Sequence, residues 1–454
     1  MSDIPASART LSIEEFVGTA MDSARLSRVH YWAFALIAAG LFFDVSNFIV
    51  FGVLVPNMLQ THFATPAQVA SVGFATAMGL FIGSIAQGQF TDRFGRKAVY
   101  QFNLLVFGIF TIAGAFSPNY VWLSVFRFIA GIGLGAELPL CFAYAGEYAP
   151  KRIRGRILAC IQLLGGAIIW PISTLFALFF LQSIGWQGIW LTYGIGALVV
   201  FVLRFSFPES PRWLATHGHG GRALELLDRM GIARPGPDTR LVEGAASRSR
   251  SDPFLVVFRD YPGRVAAAAI CFIAFFGVAV GLGAWLPNII AERGLTITKT
   301  IKYTLLIQIA YPSASIFMMF ALERFGRKPV AIVSFVLAGL FAFAFIKSPN
   351  DMILLLTGFW MAFFTQLAGN SAQIFSSEVF PTNARASGFG IASGMGRLAV
   401  AFMIPTILWI QNAFGVTTVF ACVALLLVVA AFSVNFIGPE ARGVSLDVLA
   451  PPTA

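Results

Sequence analysis

One apolar run of this chain holds two opposite charges. The run, Val121 to Arg156, contains Arg127 and Glu137 and ends in four cations. An ionisable side chain that faces lipid costs roughly 2.5–3.5 kcal/mol, so both are expected to face a polar cavity or each other. Gly131, Gly133 and Gly135 lie between them and would let a neighbouring helix approach closely. Two more charges stand in apolar surroundings: Asp44 in LFFDVSNFIVFGVLVPN and Arg397 in SGFGIASGMGRLAVAF. Each falls roughly 20 Å along a helix from the start of its stretch, near the midplane of a bilayer. An acid at that depth can carry a proton, contact an ion or substrate, or pair with a cation. A buried guanidinium binds a carboxylate with two parallel hydrogen bonds. Asn47 follows Asp44 by three residues and shares its helix face.

The elements that position these groups are membrane spans. The 454 residues are 57% hydrophobic and 11% charged, where a soluble domain carries about 25% charged residues. Twelve apolar stretches can be drawn: 31–56, 67–90, 97–116, 121–146, 156–181, 188–206, 265–288, 301–321, 329–346, 351–375, 385–411 and 416–437. The net charge of +10 could suggest a nucleic-acid partner, but its placement is topological. With the spans threaded alternately, only Arg293, Lys299, Lys302 and Lys347 fall on the far side, and only Arg127 and Arg397 within spans. Every other Lys and Arg joins the termini, so both termini are expected in the cytoplasm. Nothing before Tyr31 reads as a cleaved secretory signal. Ser12 to Glu15 reads as a capping box opening a short amphipathic helix on the inner membrane surface, with a disordered tail as the alternative. The four cysteines (Cys141, Cys160, Cys271, Cys422) lie in apolar segments with no CxxC pair, so neither a metal site nor a disulfide is expected. No polar stretch is long enough for a catalytic domain, and neither a phosphate-binding glycine loop nor a metal cluster occurs, so an enzyme is not expected and no cofactor is required.

Two loops and a repeat complete the reading. Gly88-Gln-Phe-Thr-Asp92-Arg93-Phe-Gly95-Arg96-Lys97 reads as a tight turn, Gly95 permitting the reversal and the charges pairing with one another and with helix ends. A shift of 231 residues lays Pro56-Asn57 on Pro287-Asn288, Arg93 on Arg324, Arg96 on Arg327, Glu147 on Glu378 and Arg154 on Arg385, without a gap. Glu323 supplies the acid in the second loop. Such a parallel repeat implies two six-helix halves with substrate bound between them near the midplane.

The G-x-x-x-D-R-x-G-R-K loop and the Arg127-x-x-x-Gly131-x-Gly133-x-Gly135 pattern resemble the signatures of the major facilitator superfamily. Pro208 to Leu214, PESPRWL, resembles the motif of its sugar-porter and organic-ion branches. The resemblance covers all twelve spans and implies an all-α integral membrane fold of two pseudo-symmetric six-helix halves. Residues 1–30 would form a cytoplasmic segment, 31–206 the first bundle, 207–264 a cytoplasmic linker, 265–437 the second bundle and 438–454 a cytoplasmic tail. It implies a monomer, and the short loops and compact termini point to a bacterial inner membrane. It also implies a conformational latch of Gly88, Asp92, Arg93, Gly95, Arg96, Glu147, Arg154 and Arg156, echoed by Glu323, Arg324, Arg327, Glu378 and Arg385.

Substrate chemistry is expected where the halves differ. Under the 231-residue shift Arg127, Glu137 and Asp44 fall on Gly358, Ala368 and Phe275. The second half answers with Arg397 and with the aromatic and amide side chains Trp285, Gln308, Tyr311, Trp360, Phe364, Gln366, Asn370 and Gln373, residue types that in apolar helices serve packing or bridge helices more often than they touch a ligand. A midplane Arg with aromatic neighbours suits a small planar acid. Arg397 would hold the carboxylate, with Trp285, Tyr311, Trp360, Phe364, Gln366 and Asn47 around the ring. Asp44 or Glu137 would carry a coupling proton, with Arg127 modulating it. The chain resembles the bacterial niacin-transporter branch, related to synaptic vesicle glycoprotein 2 and the organic-ion transporters. That resemblance implies proton-coupled import of nicotinate by alternating access. Three alternatives stand beside it: a benzoate-type symporter, a sugar or polyol porter, and a transport-silent binding protein on the same fold. Benzoate-type symporters carry D-G-x-D in the first span, whereas this chain has Asp44-Val45-Ser46-Asn47.

Overall fold

The computed structural model of the chain describes residues 9–94, 96–135, 137–150, 152–153, 157, 160–232, 239–242, 259–291, 295–379 and 385–437. In chain order the elements are β1 (Arg9–Ser12), α1 (Ile13–Ser23), α2 (Arg28–Gln60), α3 (Pro66–Phe94), α4 (Arg96–Ala115), α5 (Tyr120–Leu134), α6 (Glu137–Tyr148), a π-turn (Leu163–Ala167), α7 (Ile169–Leu203), α8 (Pro211–Thr216), α9 (Gly220–Arg229) and β2 (Thr239–Val242). Then follow α10 (Pro262–Phe276), a π-turn (Gly277–Leu282), α11 (Gly283–Ala291), α12 (Ile297–Gln308), α13 (Ala310–Phe325), α14 (Arg327–Ile346), α15 (Asp351–Val379), α16 (Arg385–Phe414) and α17 (Val416–Ile437).

Nine helical stretches among the described residues are long and apolar enough to cross a bilayer. One of them, Cys160–Ser206, has 47 residues, about 70 Å of helix against a hydrocarbon core of ~30 Å. Gly185 breaks it with φ 67° and ψ 178°, a conformation that glycine adopts without penalty, and so makes two crossings. End to end, α5 with α6 and α12 with α13 supply two more, giving the twelve crossings expected. The repeat is geometric as well. The 231-residue shift carries Arg96–Ala115 onto Arg327–Ile346 and the ends of the α5–α6 crossing, Tyr120 and Tyr148, onto Asp351 and Val379. Gly326, the second copy of Gly95, turns the chain with φ 89° before α14.

Local chemistry sets the helix starts. Asn119 Oδ1 accepts from the amides of Val121 and Trp122 at 3.0 and 3.2 Å and opens α5. Glu209 of the PESPRWL segment receives the Lys97 amide at 3.1 Å, a carboxylate at the start of α4. Tyr144 and Tyr148 donate to the Pro208 carbonyl at 3.2 and 3.1 Å. That segment therefore ties the end of the sixth crossing to the third and fourth. Gly131 brings α5 against α3 as expected: a Cβ on it would stand 2.4 Å from the Thr76 carbonyl, and one on Gly79 2.1 Å from that of Phe128, while Gly133 admits Asn103 and Phe107 of α4.

The N-terminal segment adds a feature that an all-helical reading does not contain. Residues 9–12 pair in parallel with residues 239–242 as a two-stranded sheet. Ser12 caps α1, accepting from the Glu15 amide at 3.1 Å. The apolar stripe Ile13, Val17 and Met21 packs on Leu214, Ala223, Leu226, Leu227 and Met230, and Arg212 pairs with Asp22 at 2.6 Å. In place of the expected membrane surface, α1 lies on α8 and α9. An amphipathic stripe of this width fits either environment, and the linker helices offer a matching apolar face.

Among the described residues the contacts between the halves lie mainly on the side away from the termini. There, a Cβ on Gly52 would lie 2.5 Å from the Ala284 carbonyl oxygen, and Phe74 meets Phe402 with ring centroids 5.6 Å apart. Gln182 donates to Thr298 at 2.9 Å. One large apolar cluster joins residues of both halves. On the terminal side the core of the first half, including Leu36, Ile37, Leu41, Tyr100 and Tyr144, forms a separate cluster with no member from the second half among the described residues.

Candidate transport site

The buried charges sit where α2, α6 and α16 approach one another around the centre of the fold. Asp44, on α2, is 9% exposed and lies within electrostatic reach of Glu137, Arg397 and Arg204. Arg397 reaches from α16 across the seam and donates to the Gly135 carbonyl at the end of α5. A cation of the second half thus contacts the backbone of the first at mid-depth, and its electrostatic partner is Asp44. Ser46 accepts from Ser173 at 2.8 Å, linking the same turn of α2 to α7.

Arg127 and Glu137 do not face each other. Arg127 donates to Asn47 Oδ1, and its guanidinium lies 5.1 Å from the Trp190 ring and 5.9 Å from that of Phe51. Its Nε and Nη2 have no hydrogen-bond partner among the described residues. Glu137 instead accepts from Arg204 at 2.7 Å, with both side chains at most 2% exposed. Arg204 also donates to the Leu36 carbonyl at 3.2 Å and lies 3.6 Å over the Tyr100 ring. Arg127 is thus held by Asn47 on α2, and Glu137 by a cation from the end of the sixth crossing.

The expected aromatic and amide lining divides into three groups. Tyr311 packs on Trp170 across the seam at 4.5 Å, and a Cβ on Gly283 would touch both rings. Trp285 is fully buried but donates to Gln411 at 3.2 Å, within the second half and about 20 Å along α16 from Arg397, so it does not join that cation as expected. Gln366 donates to Asn370 at 3.1 Å, and Asn370 to Ser315 at 3.4 Å, a bridge between α15 and α13. Gln308 accepts from Thr174 across the seam. Trp360 and Phe364 stack on Phe341 of α14 at 6.3 and 5.8 Å, and Trp360 is 38% exposed. Four residues apart on α15, these two rings share the face turned to α14, so the structure does not gather them with Tyr311.

Of the latch residues, Glu147 and Arg327 are part-buried and Arg324 is exposed. Gly88, Asp92, Arg93, Gly95, Arg96, Arg154, Arg156, Glu323, Glu378 and Arg385 lie outside the residues whose side chains are described. Among the described residues no group of His, Cys, Asp and Glu is arranged to hold a metal ion. Sequence reasoning missed Arg204, Tyr100, Trp170 and Trp190. Arg204 reads in the sequence as one more cation at the basic end of a span, and only the fold shows that it points inward.

A helical membrane fold built on a repeat, with opposite charges meeting at its seam, is the geometry of a transporter. Residues 31–451 match the sugar (and other) transporter family. The chain belongs to that family. It is therefore a multi-pass secondary transporter of the major facilitator type for a small organic metabolite, not an enzyme. It is 28% identical over 94% of its length to the niacin transporter NiaP of Acinetobacter baylyi, 98% of which is covered. It is 30% identical over 84% of its length to the 4-hydroxybenzoate transporter PcaK of the same organism, with 85% of that protein covered. The partially occluded, inward-open xylose transporter XylE of Escherichia coli has the same fold. The TM-score is 0.72 at 20% identity, over 92% of this chain and 100% of the other.

Proposed function

We propose that the protein imports a small aromatic monocarboxylate together with a proton, with nicotinate the leading substrate. The observation that carries this reading is Arg397, a buried cation of the second half within electrostatic reach of Asp44 in the first. A neutral sugar needs no buried cation, whereas a carboxylate needs one to replace its water. Tyr311 and Trp170 supply aromatic surface between the halves for a flat ring. Asp44 carries the coupling proton, because Glu137 is already committed to Arg204. Niacin and 4-hydroxybenzoate, named for the two relatives, are both aromatic monocarboxylates, which supports the class.

Residues 31–206 and 265–437 form the two bodies that rock about this site, joined by the linker 207–264. With the termini on the inner side of the plasma membrane, the closed far side corresponds to a site that opens inward. The loop charges from Gly88 to Arg96, with Glu147, Arg154 and Arg156, latch the terminal side in the opposite state. The protein works as a monomer, with residues 1–30 and 438–454 inside.

A second reading, 4-hydroxybenzoate as the substrate, is favoured by the higher identity to PcaK. It is disfavoured by the single acid in Asp44-Val45-Ser46-Asn47. Competition decides between them: uptake of labelled nicotinate suppressed by nicotinate but not by 4-hydroxybenzoate selects the first. Arg397→Ala is expected to remove uptake while the protein still unfolds cooperatively. Normal uptake by that variant would remove the carboxylate assignment.

A further inference from the structure

The Glu137–Arg204 pair is buried in the first half, and the transport reading leaves it without a task. A buried ion pair is weak evidence of stabilisation, since removing both charges from water offsets most of their attraction. Its position is more informative. A Cβ on Gly40 would stand 1.6 Å from Arg204 Nη2 and 2.3 Å from Glu137 Oε1. Gly40 therefore opens a notch in α2 into which the pair fits. It precedes Asp44 by four residues, one turn on the same helix face. The ion pair thus lies directly along the helix from the proton-carrying acid, at the turn nearer the terminal side. Tyr100, under the Arg204 guanidinium, and the Leu36 carbonyl fix the cation there.

Asp44 is faced by Glu137 from α6, by Arg397 from α16 and by Arg204 from the end of α7. The Cys141 thiol of α6 is also within electrostatic reach, and Arg127 is held one turn along by Asn47. Arg397 is the group that substrate and conformation change. Glu137 and Arg204 stay within one half and move with Asp44. We infer that the Glu137–Arg204 pair is a fixed positioning device that sets the pH range over which Asp44 takes up and releases its proton, and hence the pH dependence of transport. This rests on Asp44 being the carrier.

The sign follows from charge alone. Glu137→Gln leaves Arg204 as an uncompensated cation beside Asp44, which favours the ionised acid. Arg204→Gln leaves Glu137 as an uncompensated anion, which favours the protonated one. The experiment is proton-driven uptake of labelled nicotinate into proteoliposomes as external pH is varied. Half-maximal uptake is expected to move to more acidic pH in Glu137→Gln and to more alkaline pH in Arg204→Gln. Each shift should be on the order of one pH unit, and the double variant should return towards the parent. Opposite shifts that cancel are not produced by loss of packing, which lowers uptake at every pH. Should Arg204→Gln fail to fold, the acid shift of Glu137→Gln and its reversal in the double variant decide the matter. Unshifted profiles in folded variants would overturn the inference. An Asp44→Asn control separates the two layers: uptake that keeps its pH dependence in that variant sinks the carrier assignment, whatever the other variants show.

Discussion

Arg127 and Glu137, opposite charges in one apolar run, find separate partners. Asn47 holds one and Arg204 the other. The sequence shows that charges lie at mid-depth, because position along a helix gives depth. Azimuth is harder to read: Arg204 is paired with a residue 67 positions away, and no local pattern announces such a pairing. Trp360 and Trp285 illustrate the same limit. Both are tryptophans in apolar spans, yet Trp285 is fully buried against Gln411 and Trp360 is over a third exposed beside Phe341. At this scale the account predicts that Asp44→Asn separates two activities. Gradient-driven accumulation of nicotinate should fall at least ~10-fold, while exchange of internal for external substrate persists, since exchange needs no net proton movement. Accumulation at the parent level would contradict the role of Asp44.

At the scale of elements, glycines and caps were the most legible features. Gly131 and Gly135 meet α3 and Gly133 meets Asn103 and Phe107 of α4, close approaches that their spacing implies, and Ser12 opens α1 through the expected bond to the Glu15 amide. The surface on which α1 rests was not legible, because a stripe of Ile13, Val17 and Met21 reads alike for lipid and for protein. In the fold it closes over α8 and α9, and β1 with β2 extends the join. The N-terminal segment is thereby part of the first half's core. Val17 is fully buried, so Val17→Asp would place an unpaired charge in that join at a cost of several kcal/mol. Limited proteolysis should then cut near residues 1–30 at least ~10-fold faster than in the parent. Unchanged protection would show that the segment's packing adds nothing to its order.

At the scale of the whole molecule, twelve crossings and the 231-residue repeat were visible in the sequence because bilayer thickness and charge placement constrain a chain strongly. The state of the seam was not, since one sequence serves every state of a transporter. Gly52 against Ala284 and Gln182 against Thr298 close the far side here. In a background without the exposed cysteines Cys160 and Cys422, Gln182→Cys with Thr298→Cys should form a disulfide on oxidation. Transport should stop and recover on reduction. A cross-linked protein that transports at the parent rate would show that this contact does not open during the cycle.

The most direct test of the central claim is uptake of labelled nicotinate into proteoliposomes containing the purified protein, with and without an inward proton gradient. The account predicts accumulation above equilibrium only with the gradient, suppressed by unlabelled nicotinate and by dissipation of the gradient. Uptake that ignores the gradient would contradict proton coupling. No uptake of nicotinate or 4-hydroxybenzoate under either condition would contradict the aromatic monocarboxylate itself.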